Sequence, residues 1–219
     1  MTAPLELLDA LAVQESDLTP DVRHVEVFTL RGLLTILWHG PRGAEHVVVA
    51  GGGAMGGLLG PAGGLYQRLG EALASRGVGT LRLSYRHPND LDACTIDMCA
   101  AVDLAARAGA RNAITMGHSF GGAIAIRTAC ALGDSVRGVV TFATQSAGCE
   151  QAEEMNGRPL LMFHGDRDEL LPVQASEMVR FLVGSGDLMV LPNEGHLLSG
   201  AGDLMLERTL EFVEETFAA

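Results

Sequence analysis

The chain has 219 residues, 47% of them hydrophobic and 19% charged, with a net charge of -12 at pH 7. That length and balance suit a globular α/β domain with one sizeable core rather than a disordered chain. The acidic balance excludes the clustered Lys and Arg that nucleic acid or an anionic membrane surface demands, which leaves a small molecule as the expected partner.

The amino terminus, MTAPLELLDALAVQ, shows no basic segment ahead of an apolar core, so it does not read as a signal peptide. No apolar run reaches the length of a membrane span. Residues 1–20 read as a polar leader with at most one short helical turn, ahead of a single domain over 21–219. The four cysteines, Cys94, Cys99, Cys130 and Cys149, include no C-x-x-C pair and read as small buried hydrophobes in a reducing cytoplasm.

Val22 to Leu30 and Leu33 to Gly40 are strand-like runs around Arg31-Gly32, a connection short enough to predict an antiparallel hairpin at one edge of a sheet. HVVVA, from His46, is a β-branched run of the kind buried on both faces. A helix is predicted over Pro61 to Arg76, with Leu65, Leu69, Ala72 and Leu73 on one stripe. A strand over Val78 to Tyr85 and a helix over Thr95 to Gly109 follow. Next comes the strand Asn112 to Met116, which runs into GHSFGG and a helical AIAIRTACAL. Strands at Val136 to Thr144, Pro159 to Gly165 and Gly186 to Pro192 complete the set, with helices near Val173 to Val183 and Asp203 to Phe217. This alternation predicts a mostly parallel central sheet with helices on both faces.

Two glycine-rich turns carry the functional signal. Gly51, Gly53 and Gly56 spell G-x-G-x-x-G directly after a strand, the dinucleotide-binding fingerprint. That reading requires a helix opening inside the motif and an acid at the end of the next strand, about twenty to thirty residues on. Here Pro61 starts the helix beyond the motif, and the next strand ends RLSYRHP without an acid. The second turn, Gly117-His118-Ser119-Phe120-Gly121, is G-x-S-x-G between an apolar strand and an amphipathic helix. A sharp turn there would lift the Ser119 hydroxyl out of the sheet at a helix N-terminus, and bulk at Gly117 or Gly121 would collide with neighbouring backbone. The plain alternative is a βα turn with Ser119 as an N-cap.

A serine nucleophile needs a base oriented by a third group, and in this architecture the chain order is serine, acid, histidine. Asp166 and Asp168 lie just past a strand end in LLMFHGDRDELLPV, and of the seven histidines only His196 lies beyond that loop. All three elements then fall at the carboxyl ends of strands, the edge along which open α/β sheets bind ligands. His118 reads as a packing residue and His164 as a strand-end hydrogen bonder, while His24, His39 and His46 show no metal-ligand spacing.

With GHSFGG, HGDRDELLP and NEGH in place, the chain resembles the α/β-hydrolase family, in particular its small dienelactone-hydrolase-like esterases, over roughly Val47 to Phe217. The resemblance implies Ser119 as nucleophile, Asp168 rather than Asp166 as acid, and His196 as base, with no metal or organic cofactor. It differs from dienelactone hydrolases proper in having serine, not cysteine, at the nucleophile position, which points to a serine carboxylesterase. It also implies an oxyanion hole built from the backbone N–H of Phe120 and of a residue in the loop AGGGAMGG, Gly52 or its neighbour Gly53. One such donor about 3 Å from the developing alkoxide is worth roughly 3 kcal/mol. Only Gln145 to Arg158 separates two strands between which many relatives carry a cap, so no cap or a minimal one is expected. The open site should favour small soluble esters of about two to six acyl carbons, with Met55, Leu58, Phe120, Gln145 and Leu197 as lining candidates. Arg86, in the polar loop Tyr85 to Cys94, is a candidate for holding a substrate carboxylate. Lactone, thioester or amide hydrolysis and acyl transfer use the same triad, and a non-catalytic binding protein would share the fold. The protein is expected to be a monomer or a homodimer.

Overall fold

β-Branched and aliphatic residues supply the strands, and their spacing decides which face of the sheet each side chain serves. The computed structural model describes residues 3–219. Nine strands form one sheet in the order β1-β2-β3-β5-β4-β6-β7-β8-β9. They are β1 (Ala10–Thr19), β2 (Val22–Thr29), β3 (Gly32–His39), β4 (His46–Gly51), β5 (Gly79–Ser84), β6 (Asn112–His118), β7 (Val136–Phe142), β8 (Leu160–Gly165) and β9 (Asp187–Leu191). β1 through β3 run antiparallel, as does the β3–β5 pair, and all pairs from β5–β4 to β8–β9 are parallel.

The predicted hairpin is β2–β3, with Thr29 opposite Gly32, but it is not the edge of the sheet. Residues 10–19, expected to belong to a polar leader, instead form the edge strand β1, paired from Ala10↔Thr29 to Thr19↔Val22. The reason is physical. Every β1 residue is exposed, so the strand carries no buried stripe and is held by its backbone ladder. Ahead of it a 3-10 turn, Glu6–Leu8, drops Leu8 into the core. Met1 and Thr2, also within the expected leader, lie outside the described residues.

Alternation along β4 divides the core in two. Val47 and Val49 face one layer, Val48 and Ala50 the other. Each fully buried valine contributes roughly 2 kcal/mol, which explains the uninterrupted apolar run. The helices are α1 (Leu65–Ala74), α2 (Leu91–Arg107), α3 (Phe120–Leu132), α4 (Gln174–Val183) and α5 (Gly202–Ala218). α1 and α5 cover the Val48 face, and α2, α3 and α4 cover the Val47 face. α2 starts before the predicted Thr95 because the Asp90 carboxylate caps it, accepting from the Ala93 N–H at 3.0 Å. α1 is shorter than predicted, since Pro61 sits in a turn whose carbonyl accepts from the Gly64 and Leu65 N–H groups. Between β7 and β8 the chain forms only a 3-10 turn, Ala152–Met155, so there is no cap domain over the strand ends. Among the described residues no helix is long and apolar enough to cross a membrane, and all four cysteines are free.

His39 closes β3 with its ring against Gly70 of α1, leaving 2% of the residue exposed. Burial first, then the Arg82 guanidinium, push its pKa down to about 4 against the pull of Glu71. The unfolded chain protonates this group near 6.5, so the folded state is progressively disfavoured as pH falls from there toward 4. The slope reaches at most about 1.4 kcal/mol per pH unit. Urea-unfolding free energies across that window should fall less steeply in His39→Gln; an unchanged slope would assign the decline to another group.

Candidate active site

β6 ends in a turn that no ordinary residue adopts readily. Ser119 has φ 57° and ψ −120°, and α3 begins at the next residue. The turn exists because glycines let three backbones touch. A Cβ on Gly117 would collide with the Gly121 carbonyl, and one on Gly121 with the carbonyls of Gly51 and Gly52 at the end of β4. The Ser119 N–H donates to the Phe142 carbonyl of β7 at 2.8 Å, which fixes the turn to the next strand.

The loops after β8 and β9 bring Asp168 and His196 together. His196 Nδ1 lies 2.8 Å from Asp168 Oδ2, and His196 is 7% exposed. Asp168 Oδ1 accepts from the N–H groups of Leu170 at 2.9 Å and Leu171 at 2.8 Å. Burial alone would raise the Asp168 pKa, but the Leu171 N–H, His196 and the Leu170 N–H outweigh it, leaving it below the ordinary aspartate value. The carboxylate is therefore ionised, His196 Nδ1 carries the proton that bonds to it, and Nε2 is left as the acceptor. Asp166, the other acid of this loop, points elsewhere, accepting from the Asn193 N–H at 2.6 Å.

Two further histidines hold this pair. His118 Nε2–H donates to the His196 carbonyl at 2.9 Å, and burial pushes the His118 pKa down, countered in part by that bond. His164, fully buried in β8, places Nε2 2.9 Å from the Leu171 carbonyl and 3.2 Å from Asp168 Oδ2, with Nδ1 2.7 Å from Ser176 Oγ. A carbonyl only accepts, so His164 Nε2 carries the hydrogen and Ser176 donates to Nδ1. His118 thus does more than pack, and His164 holds the Leu171 segment beside the acid as well as closing its strand.

The glycine loop after β4 forms the opposite wall. Tyr66 Oη donates to the Gly51 carbonyl at 3.0 Å, and the Ala62 N–H donates to the Leu197 carbonyl at 2.8 Å, joining the loop to the His196 segment. Gly53 is the glycine beside the serine: a Cβ there would stand 3.7 Å from Ser119 Cβ, whereas Gly52 packs on the carbonyls of Gly56 and Gly57. Phe120 opens α3, so its N–H is among those that helix geometry leaves without an intrahelical acceptor. The helix that dinucleotide binding would require within G-x-G-x-x-G is absent, since α1 opens only at Leu65.

Ser119 and His196 share a cavity of about 470 Å³ with Met55, Leu58 and Leu197. Leu59 and Leu170, which the sequence reading missed, line it too. Three candidates do not. The Phe120 side chain is 5% exposed and packs in the core rather than on the cavity wall. Gln145 turns its amide to the Ala147 carbonyl at 2.8 Å and lies outside the cavity wall. Arg86 is sealed against Asp97, Nε to Oδ1 at 2.5 Å, with their side chains 6% and 0% exposed. It anchors the loop after β5 to α2 and is not available to a substrate. Removing one partner of such a pair strands a buried charge, so Arg86→Met should lower the urea-unfolding free energy by about 3–5 kcal/mol. A loss below 1 kcal/mol, about the worth of an exposed pair, would mean that the pair is solvated.

No family model and no curated protein matches the chain by sequence. Solved structures do. Est1E from Butyrivibrio proteoclasticus superposes with a TM-score of 0.75 at 18% identity, covering 90% of this chain and 99% of that one. A dienelactone hydrolase from Anabaena variabilis gives 0.73 at 19% identity, over 94% and 97%. An alpha-beta serine hydrolase homologue from Coxiella burnetii gives 0.70 at 17%, over 90% and 99%. Strand order, the serine turn between β6 and α3, and these superpositions agree: the chain has the α/β-hydrolase fold.

Proposed function

We propose that the protein is a serine hydrolase that cleaves small carboxylic esters through an acyl-enzyme on Ser119. One observation carries the reading: Asp168 fixes His196 with its Nδ1 protonated, which leaves Nε2 as a base in the cavity that holds Ser119 at a strained turn. His196 takes the Ser119 proton as the oxygen attacks the ester carbonyl, and Asp168 stabilises the imidazolium. The oxyanion is received by the Phe120 N–H and by a loop N–H. Gly53 suits the second role better than Gly52 because it is the one beside the serine. His196 then passes its proton to the leaving alcohol. A water deprotonated by the same Nε2 clears the acyl group and returns Ser119. Asp168, held below the ordinary aspartate value, stays ionised throughout. The esterase and hydrolase structures that share the fold support the reaction class.

A fluorophosphonate probe tests the reading directly. The expected result is a single covalent adduct per chain, mapped to Ser119 by peptide mass, with p-nitrophenyl ester turnover lost in proportion. A folded protein that fails to label overturns the proposal.

A further inference from the structure

The walls of the cavity around Ser119 are almost devoid of polar chemistry. Apart from Ser119, His118 and His196, every lining residue is glycine, alanine, leucine or methionine. His118 Nε2 is already spent on the His196 carbonyl and its Nδ1 can only accept, so the lining offers no cationic side chain to a charged substituent. The cation nearest in sequence logic, Arg86, is locked on Asp97. Around the mouth stand large apolar side chains exposed to a degree unusual for their type: Met55 at 94%, Leu170 at 67%, Leu197 at 61% and Leu59 at 57%. They come from two separate walls, the glycine loop and the segments carrying Asp168 and His196, so the apolar rim encircles the site.

We infer that the substrate is an uncharged ester with apolar groups on both sides of the scissile bond, and that Leu170 and Leu197 face its leaving group while Met55, Leu58 and Leu59 face its acyl group. The inference rests on the hydrolase reading above. The sides follow from the chemistry. His196 must protonate the departing oxygen, so the alcohol lies toward His196, beside Leu197 and Leu170. The acyl group then lies toward the glycine loop. A cavity of about 470 Å³ falls in the usual range for small-molecule sites, enough for a medium acyl chain together with its alcohol. A substrate carboxylate here would lose its water and find no partner, a penalty that salt does not screen. Repulsion by the net charge of -12 acts in the same direction, but salt does screen it.

Two ester series test the inference, one varying the acyl group at constant alcohol and one the alcohol at constant acyl group. Each pairs neutral members with analogues bearing a terminal carboxylate. In each series kcat/KM should rise about two- to fourfold per added methylene until the cavity is full. It should drop at least about a hundredfold for the carboxylate analogue, and most of that drop should persist in high salt. Leu170→Lys should recover turnover of the ester with the charge on its alcohol, and Met55→Lys that of the ester with the charge on its acyl group. Wild-type enzyme that labels with fluorophosphonate but uses charged and neutral esters alike would overturn this inference alone. Recovery by the wrong lysine variant would overturn the assignment of sides. Failure to label would remove the hydrolase reading beneath both.

Discussion

Ser119→Ala should reduce ester turnover by at least about 10⁴-fold while leaving the protein folded and KM little changed. The hydroxyl is the only group lost. His196, Asp168 and the cavity wall keep their positions, because their bonds run to one another and to backbone rather than to Ser119 Oγ. Residual turnover reflects water attacking an ester that the oxyanion donors still polarise. Ser119→Gly separates chemistry from folding. At φ 57° and ψ −120° a residue with a Cβ stores of order 1–3 kcal/mol of strain, which glycine relieves at the cost of greater freedom in the unfolded chain. The glycine variant should therefore be as inactive as the alanine variant and more stable than the parent by about 1 kcal/mol, read from urea unfolding. Turnover near the parent's level in either variant would show that Ser119 is not the nucleophile. Glycine lowering the stability would show that the turn is not strained.

What the sequence disclosed, and what it concealed, follows from where each signal is written. The Ser119 turn was legible because glycine on either side of it is a steric necessity, and Gly117 and Gly121 do meet carbonyl oxygens. The buried run of β4 was legible because both of its faces are core. β1 was concealed because an edge strand exposed on both faces keeps no apolar alternation. Arg86 was misread because its partner Asp97 lies on α2, and a buried ion pair looks in sequence like two unrelated polar residues. His118 and His164 bond to backbone carbonyls, which have no sequence signature, so their hold on His196 and on the Leu171 segment emerged only from geometry. Leu170 was overlooked for a related reason: two residues past the acid, it reads as loop filler until the fold sets it at the cavity mouth.

Asp168→Asn should be nearly as damaging as loss of the serine, because the surroundings of this side chain dictate which way an amide would sit. Two fixed backbone donors, the N–H groups of Leu170 and Leu171, face the Oδ1 position, and only an oxygen can accept from them. The amide nitrogen is therefore forced into the Oδ2 position, 2.8 Å from His196 Nδ1 and 3.2 Å from His164 Nε2. A donor there requires His196 to accept at Nδ1, which moves the ring proton to Nε2 and leaves nothing to take the Ser119 proton. Turnover should fall by about 10⁴-fold near neutral pH with little change in the fold, and nitrogen chemical shifts of His196 should report the Nε2–H tautomer. His164 meets the same new donor, but its Nε2–H keeps the Leu171 carbonyl at 2.9 Å, so its tautomer should not change. Asp168→Ala removes the donor conflict along with the charge, so His196 regains access to both tautomers. It should therefore retain more activity than the asparagine variant despite being the larger deletion. Equal activities would show that Asp168 acts through its charge alone, and the opposite order that it does not act by selecting the tautomer of His196.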